Sequence, residues 1–489
     1  MNRDLPHPLW ILLLLGAVLA LLLPAEINGD GVGYLRQIDG RALAPGHLAY
    51  LPILRGVAAL WPHHTLLDLV LPIRLLGLGC ALASLALLHD AARRLHGQQA
   101  HALAAMLLFG LSHAFTRSAV ELETYAPAML LAVATLWALV RCSTGPKAGC
   151  WPLVAAVLAG LATLMHLTLV LLAIPLAVHL GRRPGRRWRV VWAPGVMAVT
   201  VAAGIALALW HQGIPLADAP GWLLGADHGI PHPHGWLAPL VALWGLARSL
   251  VAVPYPHQHG LAVVLSLSTL AAAAWIVIAL CVVRRPASVD WIALLSWCAP
   301  LALFAVVFFP SDTERWLFVL PAAALYLAPA LQGRVVVAVL AVMALVNLGL
   351  DRLPAALDRG PMQTARAAEA LVGNAPPSLL VSPGHGWDEL VGLGLATPPA
   401  RFPLIFHVGA DGGLQPAVER MVQAIDQALA RGEWVFVARL RDAADPRGFK
   451  ELAWFGLPGD GFARLLRRYA PRPTTLPGLW RLVRPDAGR

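Results

Sequence analysis

Apolar runs long enough to cross a membrane recur along this chain from Pro8 to about Leu350, and no other property restricts its fold so strongly. A helix needs about 20 consecutive apolar residues to traverse the hydrocarbon core of a bilayer. Hydrophobic residues make up 58% of the 489 positions and charged residues only 13%, against roughly a quarter charged in a soluble globular chain. Because the bilayer core holds no water to satisfy the backbone, such runs must close their hydrogen bonds internally, as helices. Reading them at that length gives about eleven spans, over 8–24, 66–90, 99–116, 122–140, 152–165, 166–180, 189–210, 261–283, 289–309, 316–331 and 335–350. Beyond Leu353 the pattern breaks into short mixed segments. The expected organisation is an α-helical polytopic membrane domain over 1–353 and a soluble α/β domain over 354–489.

Arg3 precedes the apolar run Leu9–Leu23 in the manner of a signal peptide, but no small-residue cleavage site follows, so the run reads as an uncleaved first span. The five cysteines, Cys80, Cys142, Cys150, Cys281 and Cys298, all lie in or beside the apolar region, and their spacing suggests neither a disulfide framework nor a cysteine zinc site. In a soluble protein a net charge of +10 would point to nucleic acid. Here it reflects topology instead, since the arginines concentrate in short connections: Arg93-Arg94, 141–147, the cluster Arg182 to Arg189, Arg284-Arg285 and Arg334. The positive-inside rule puts these in the cytoplasm, with the N-terminus. The intervening loops then face outward, and an odd number of spans puts the C-terminal domain there too. Residues 151–180 are too few for two full crossings and too many for one, so two half helices meeting near Met165-His166 are expected. Such a break is tolerated where protein or a water-filled cavity receives the freed backbone groups. The shorter segments 47–61 and 239–253, carrying Arg55 and Arg248, read as helices lying along the interface.

In the C-terminal region the pattern predicts a helix near Gln363–Val372, strands at Leu379–Ser382 and near Leu404–Phe406, a helix over Ala417–Ala430 and a strand over Trp434–Leu440. Such alternation favours a small α/β sandwich. No phosphate-loop or dinucleotide fingerprint accompanies it.

The chemistry-bearing residues gather in the outward loops. Asp30, in Asn28-Gly29-Asp30-Gly31, reads as a general base or charge stabiliser facing an acceptor, and equally as a solvated acid in a turn-forming sequence. Glu121 and Glu123 follow Arg117 in the turn that leads to Tyr125. Acids at the edge of a bilayer are costly unless paired or functional. On a helix two residues apart they would point in different directions, which leaves Glu123 as the one expected to reach a cavity. His166 sits at the break between half helices, either as a hydrogen-bonded structural residue or as a cavity-lining one. Asp312, Glu314 and Arg315 form a further outer loop, where Arg315 suits a phosphate or simply pairs with a neighbouring acid. Arg36, Arg41, Arg55 and Arg74 are other cations of the outer half. The histidines His228, His232, His234, His257 and His259 lie in a run broken by Pro and Gly, which reads as an interfacial loop and not as a zinc site.

Four segments occur in an order that is informative as a set: Gly29-Asp30-Gly31; Pro45-Gly46-His47-Leu48-Ala49-Tyr50; Glu123-Thr124-Tyr125-Ala126; and Gly160 to Thr168 with His166. Together they resemble the protein O-mannosyltransferase-like branch of the C-type (GT-C) integral membrane glycosyltransferases, including its bacterial members, over about the first 175 residues. The resemblance implies a GT-C-like transferase that draws a sugar from a polyprenyl-phosphate carrier at the outer membrane face. It implies that Asp30 is the catalytic base, and it matches Glu123 and His166 to residues of the family's motifs. Beside the resemblance, a lipid-linked donor needs a cation near the interface for its phosphate, which Arg117 or Arg315 would supply, and Tyr125 and His47 are further expected substrate-binding residues. This sequence departs from the family where Gly31, Val32 and Gly33 stand in place of a second acid, and where Ala44-Pro45-Gly46-His47-Leu48 stands for a Pro-Pro-Gly-Tyr-Pro stretch. The expected activity is inverting glycosyl transfer to a glycan, lipid or protein acceptor at the periplasmic face of a bacterial inner membrane. No cofactor is fixed by the sequence, although the acids are compatible with a divalent metal, and nucleic acid is not expected as a partner. The rival is a transporter or flippase in which Asp30, Glu123 and His166 line a passage. Against it, no inverted repeat is visible and the polar groups collect on one side instead of at the midplane.

Overall fold

The computed structural model describes residues 7–359 apart from 26, 28, 39, 41–42, 145–148, 183–188, 225–234, 255–260, 286–288, 309 and 332. It continues over 377–382, over 400–438 without 405–406 and 409–412, and over 461–484 without 477–478, with 367, 370–371 and 457 besides. The chain forms two compact units, one of Met1–Pro24, Gln37–Trp61 and Leu71–Leu357, the other of Ala25–Arg36, Pro62–Val70 and Asp358–Arg489.

The first unit is helical. Its elements are α1 (Pro8–Leu21), α3 (Tyr50–Leu60), α4 (Val70–His96), α5 (Gln99–Gly110), α6 (His113–Ser118), α7 (Tyr125–Thr144), α8 (Trp151–Met165), α9 (Ala173–Gly181), α10 (Arg189–Gln212), α11 (Ala219–Leu224), α12 (Ala238–Leu250), α13 (Leu261–Arg284), α14 (Trp291–Phe308), α15 (Thr313–Leu317), α16 (Leu320–Leu327) and α17 (Arg334–Ala344). Among the described residues, six helices are long and apolar enough to cross a membrane, and six shorter apolar helices accompany them. Burial separates inner from outer helices: 72% of the apolar window of α7 is buried, against 11% of that of α10. On α10, Val191, Val199, Leu207 and Trp210 are all exposed. An apolar surface so continuous would be a liability in water and is the natural surface in lipid. Where helices cross closely, glycine makes room. A Cβ on Gly160 of α8 would stand 2.6 Å from the Thr200 Cβ of α10, and one on Gly204 of α10 would stand 2.4 Å from Leu164 Cδ1. Small residues at such crossings let two backbones approach, as in other membrane helix pairs.

Two interruptions in these helices matter for the site. The first is the break expected at Met165-His166: His166 is extended, with φ −152° and ψ 110°, and a 3-10 segment Leu167–Leu172 leads into α9. The second lies in the last long helix, where α17 runs into a π-helix over Leu345–Arg352 and then into α18 (Leu353–Leu357). A π-turn hydrogen-bonds i to i+5 and so shifts the facing of everything after it.

The second unit holds α2 (Gly29–Gln37) and a five-stranded sheet in the order β2-β1-β3-β5-β4. Strands β1 (Ser378–Ser382), β2 (Ala400–Pro403) and β3 (Trp434–Ala438) run parallel, while β5 (Leu479–Val483) pairs antiparallel with both β3 and β4 (Ala470–Pro473). The amphipathic helix Leu414–Ala430 packs Ala417, Met421 and Ile425 onto Leu379, Val381, Val435 and Val437. The expected strands at 379–382 and 434–440 and the helix at 417–430 are all present to within a few residues. The strand expected near Leu404–Phe406 lies earlier, at Ala400–Pro403, and Leu404 is helical. Pro403, which has no N–H to continue a ladder, stands at its end. Strands β4 and β5 were not expected. The helix expected near 363–372 falls largely outside the described residues, as does the loop Gly409 to Gly413 apart from Gly413 itself.

Candidate functional site

The site in the first unit is built on the break in the α8–α9 pair. Ending α8 at Met165 leaves its last carbonyls without partners in the helix, and inside a membrane protein they need a donor. The 3-10 turn Pro45–His47 and the residues that join it to α3 supply two. Ala49 N donates to Leu164 O at 3.1 Å, and His47 Nδ1 lies 3.1 Å from Met165 O, the distance of a hydrogen bond in which the ring donates. His47 and His166 then meet edge to face with ring centroids 4.9 Å apart, and Tyr125 and Phe318 each lie 5.3 Å from the His166 ring. His47, Tyr125 and His166 are all buried.

Arg315 closes this aromatic box. Its Nη1 is 3.2 Å from His166 Nε2. A guanidinium only donates, so Nε2 of His166 accepts and the ring's own proton resides on Nδ1. Arg315 is held in turn by Asp312, whose Oδ2 is 3.6 Å from Arg315 Nε while its Oδ1 caps α15 through Glu314 N at 3.1 Å. The pairing of Arg315 with Asp312 is one the sequence had left open, while Glu314 turns the other way, to Arg117.

Arg117 is the hub of the acidic half. Its Nε donates to Glu121 Oε1 at 2.9 Å and its Nη2 stands 3.2 Å from Glu314 Oε1. Ligand oxygens of Glu121, Glu123 and Glu314 lie within 4.8 Å of one another. The expectation that only Glu123 reaches the site is thus corrected. Residues 119–124 form a turn and bends between α6 and α7, not a helix, so the divergence of side chains two apart on a helix does not apply. The network extends further than the sequence suggested. Arg352 Nη1 lies 3.7 Å from Glu121 Oε1, Arg352 Nε donates to Asp351 Oδ2 at 2.7 Å, and Asp351 Oδ2 is 3.3 Å from His113 Nδ1. His113, Asp351 and Arg352 were not among the expected site residues, because nothing in a run of apolar sequence signals the π-turn that presents the last two.

The surrounding charges keep both arginines firmly cationic. Glu121 foremost, then Glu314 and Glu123, raise Arg117 well above the usual guanidinium value against the cost of its burial. Burial works against the charge of Arg315, but Tyr125, Asp312, Glu314 and Glu123 outweigh it and the net direction is upward. Three carboxylates this close are the oxygen donors that a hard divalent cation takes, and Glu121, Glu123 and Glu314 are the residues that would hold one. Arg117, bonded to two of the three, already places a positive charge between them.

The loop Ser311 to Arg315 is fixed from behind by α12. A Cβ on Gly245 would stand 2.0 Å from Pro310 O, the carbonyl that also accepts from Trp316 Nε1 at 3.0 Å. Arg248, buried despite its charge, donates to Val253 O at 2.9 Å and Ser311 O at 3.1 Å and stacks 4.4 Å from the Trp244 ring centroid. Arg248 therefore serves the loop. Arg55 likewise serves the backbone, donating to Gln37 O and Ile38 O, and Arg74 donates to Pro24 O at 2.6 Å.

Asp30 belongs to the second unit, in the first turn of α2, where a carboxylate is favoured by the helix dipole, and it is exposed. The basic loops make separate contacts: Arg141 lies 3.6 Å from Asp90, which also binds Arg94 and Trp137, and Arg182 binds Asp290 at 2.8 Å. Arg41, His228, His232, His234, His257 and His259 lie outside the described residues.

Residues 63–211 match the model of the family described as dolichyl-phosphate-mannose-protein mannosyltransferase. Over its whole length the chain is similar in fold to ArnT from Cupriavidus metallidurans. The apo structure of ArnT superposes with a TM-score of 0.62 at 13% identity, covering 97% of this chain and 98% of that one. The same protein bound to undecaprenyl phosphate gives 0.60 at 12% identity, covering 98% of each. An Archaeoglobus fulgidus oligosaccharyltransferase, tethered with an acceptor peptide, gives 0.53 at 12% identity and covers 95% of this chain and 72% of its own. No protein of curated function matches the chain in sequence. The chain thus has the fold of these two membrane proteins, a fold of the kind that the order of the four sequence segments implied.

Proposed function

We propose that this protein is a membrane glycosyltransferase that moves a sugar from a polyprenyl-phosphate donor to an acceptor at the outer, periplasmic face, with inversion and with Asp30 as the general base. The observation that carries the reading is the mixed character of the site on this fold. Guanidinium groups suited to a phosphate stand beside carboxylates and imidazoles suited to sugar hydroxyls. Arg117 has two nitrogens on Glu121 and Glu314, and its third, Nη1, has no partner among the described residues; its side chain is 31% exposed. An arginine held on one edge and open on the other is pre-organised for a phosphate oxygen. Glu123, His166, Tyr125, His47 and Arg315 would orient the sugar. Two structural neighbours support the reading by what they were solved with, undecaprenyl phosphate in ArnT and an acceptor peptide in the archaeal oligosaccharyltransferase.

In this reaction the acceptor's hydroxyl or amine attacks the anomeric carbon from the side opposite the phosphate, the carbon–oxygen bond to phosphate breaks, and the acceptor proton passes to Asp30. The exposed carboxylate of Asp30 is accessible to an acceptor arriving from water. The test is Asp30→Asn, which keeps the shape and removes the basic oxygen. General-base catalysis contributes about 10²–10⁴ in rate, so transfer from polyprenyl-phosphate sugars should fall by at least about 100-fold with donor binding retained. Wild-type transfer by that variant would remove Asp30 as base, and translocation of the lipid-linked sugar without transfer would replace the enzyme by a flippase.

A further inference from the structure

The ion network reaches Asp351 and Arg352 at the π-wound end of the last long helix, which also carries a buried, fully hydrogen-bonded amide. Asn347 is fully buried within the π-helix Leu345–Arg352. Its Oδ1 accepts from Ala252 N at 2.8 Å, and its Nδ2 donates both to Leu111 O at 2.6 Å and to Leu250 O at 2.7 Å. Both of the amide's donors and its acceptor are thus used. Each partner lies at or just beyond the end of a helix. Leu111 lies just before Ser112, which caps α6 by accepting from Phe115 N, and α6 carries His113 and Arg117. Leu250 ends α12 and Ala252 lies two residues beyond it, and Gly245 and Arg248 of α12 fix the loop of Asp312, Glu314 and Arg315.

Winding explains why the position matters. An α-helix advances about 100° per residue, which puts the fourth residue after Asn347 about 40° and the fifth about 140° away around the axis. A π-helix closes i to i+5 bonds and advances roughly 80–90° per residue, so the fourth and fifth residues both fall within about a quadrant of Asn347. Those residues are Asp351 and Arg352. The wider turn lets Asn347 face the ends of α5 and α12 while Asp351 faces His113 and Arg352 faces Glu121.

We propose that Asn347 is a positioning residue that locks this π-turn, so that Arg352 shares Glu121 with Arg117 and leaves Arg117 open toward the donor phosphate. The inference rests on the transferase reading for the identity of the ligand. Without Arg352, less of the charge of Glu121 is shared, Glu121 draws Arg117 further inward, and the phosphate edge is lost.

The experiment uses the full-length protein in detergent or nanodiscs, with polyprenyl phosphate alone as the probe. Arg352→Ala and Asn347→Leu should each weaken its binding at least fivefold and raise KM for the lipid-linked donor more than they lower kcat, and Arg352→Lys should recover most of the loss. The position itself is read without any ligand. Glu121→Gln and Arg352→Ala should be non-additive in thermal unfolding with Asn347 present and additive with Asn347→Leu. Unchanged binding in a folded Arg352→Ala variant, or additivity in the wild-type background, overturns the proposal. A wild-type protein that shows the coupling but binds no polyprenyl phosphate overturns the transferase reading and the role of Arg352 in it, and leaves the lock standing as a structural fact.

Discussion

His47 does at the level of one residue what a cofactor or a water does elsewhere, satisfying a carbonyl that the broken helix leaves exposed. Its Nδ1 is the partner of Met165 O, in a setting where an unmet carbonyl costs about 1–3 kcal/mol. His47→Ala is therefore expected to lower stability by about that amount, seen as a reduced thermal midpoint, while His47→Asn, which keeps a donor, recovers part of it. Equal midpoints for His47→Ala and wild type would show that the break is satisfied otherwise. Arg117 makes a second argument of the same kind. Because it bonds Glu121 and Glu314 directly, it supplies the positive charge that a divalent ion would bring to those carboxylates, and transfer is expected to survive incubation with EDTA. Loss of transfer on chelation, restored by Mg²⁺ or Mn²⁺, would put a cation among Glu121, Glu123 and Glu314. Residue identity alone gave away part of this site. An acid or histidine in an otherwise apolar chain is conspicuous, so Glu123, His166 and Arg315 were readable as candidates. Asp351 and Arg352 carry the same charges but follow a membrane-spanning run whose end looks like any other basic-acidic helix exit.

At the scale of elements, the loop Ser311 to Arg315 owes its place to α12. The distance of 2.0 Å between Pro310 O and a Cβ on Gly245 is shorter than any real contact, and the obstructing atom is backbone. Gly245→Ala must push the loop away, breaking Trp316 Nε1 to Pro310 O and moving Glu314 from Arg117. Overpacking of this kind costs about 1–3 kcal/mol, and kcat/KM is expected to fall with it, whereas Gly56→Ala on α3, where nothing stands within 4 Å, should leave both unchanged. Equal effects from the two substitutions would mean that α12 merely fills space. Which elements the sequence disclosed follows from the physics of each. The break at His166 was readable by arithmetic, since 30 residues between two basic loops fit neither one crossing nor two. Helix α12 was visible as a short apolar segment, but its role was not, because an arginine on it reads as an interface anchor until Ser311 O and Val253 O are seen to accept from it. Strand β4, Ala470–Pro473, was hidden by its prolines. Pro is admitted to a sheet at its edge, and β4 is one of the two edge strands.

At the scale of the whole chain, the grouping of segments bears on how Asp30 is held. Ala25–Arg36 and Pro62–Val70 belong to the same compact unit as Asp358–Arg489, although more than 280 residues of helical bundle separate them from it in sequence. Helix α2 is short, nine residues, and isolated helices of that length are marginal in water. Its Ile27, Val32 and Leu35 neighbours in sequence are nonetheless almost fully buried. Burial on that scale, about 1.5–3 kcal/mol for each large apolar side chain, is what keeps the segment ordered, and the segment groups with the C-terminal region. A chain ending at Leu357 keeps every helix of the first unit and removes most of the second. Such a truncation should insert and bind polyprenyl phosphate through Arg117, yet lose transfer, and protease should cut within residues 25–36 where the intact protein resists. Supplying Asp358–Arg489 as a separate chain should restore protection and some transfer, since the unit is held by contacts and not by continuity. Full transfer by the truncated protein would show that α2 presents Asp30 without the C-terminal region, and that the region serves the acceptor alone.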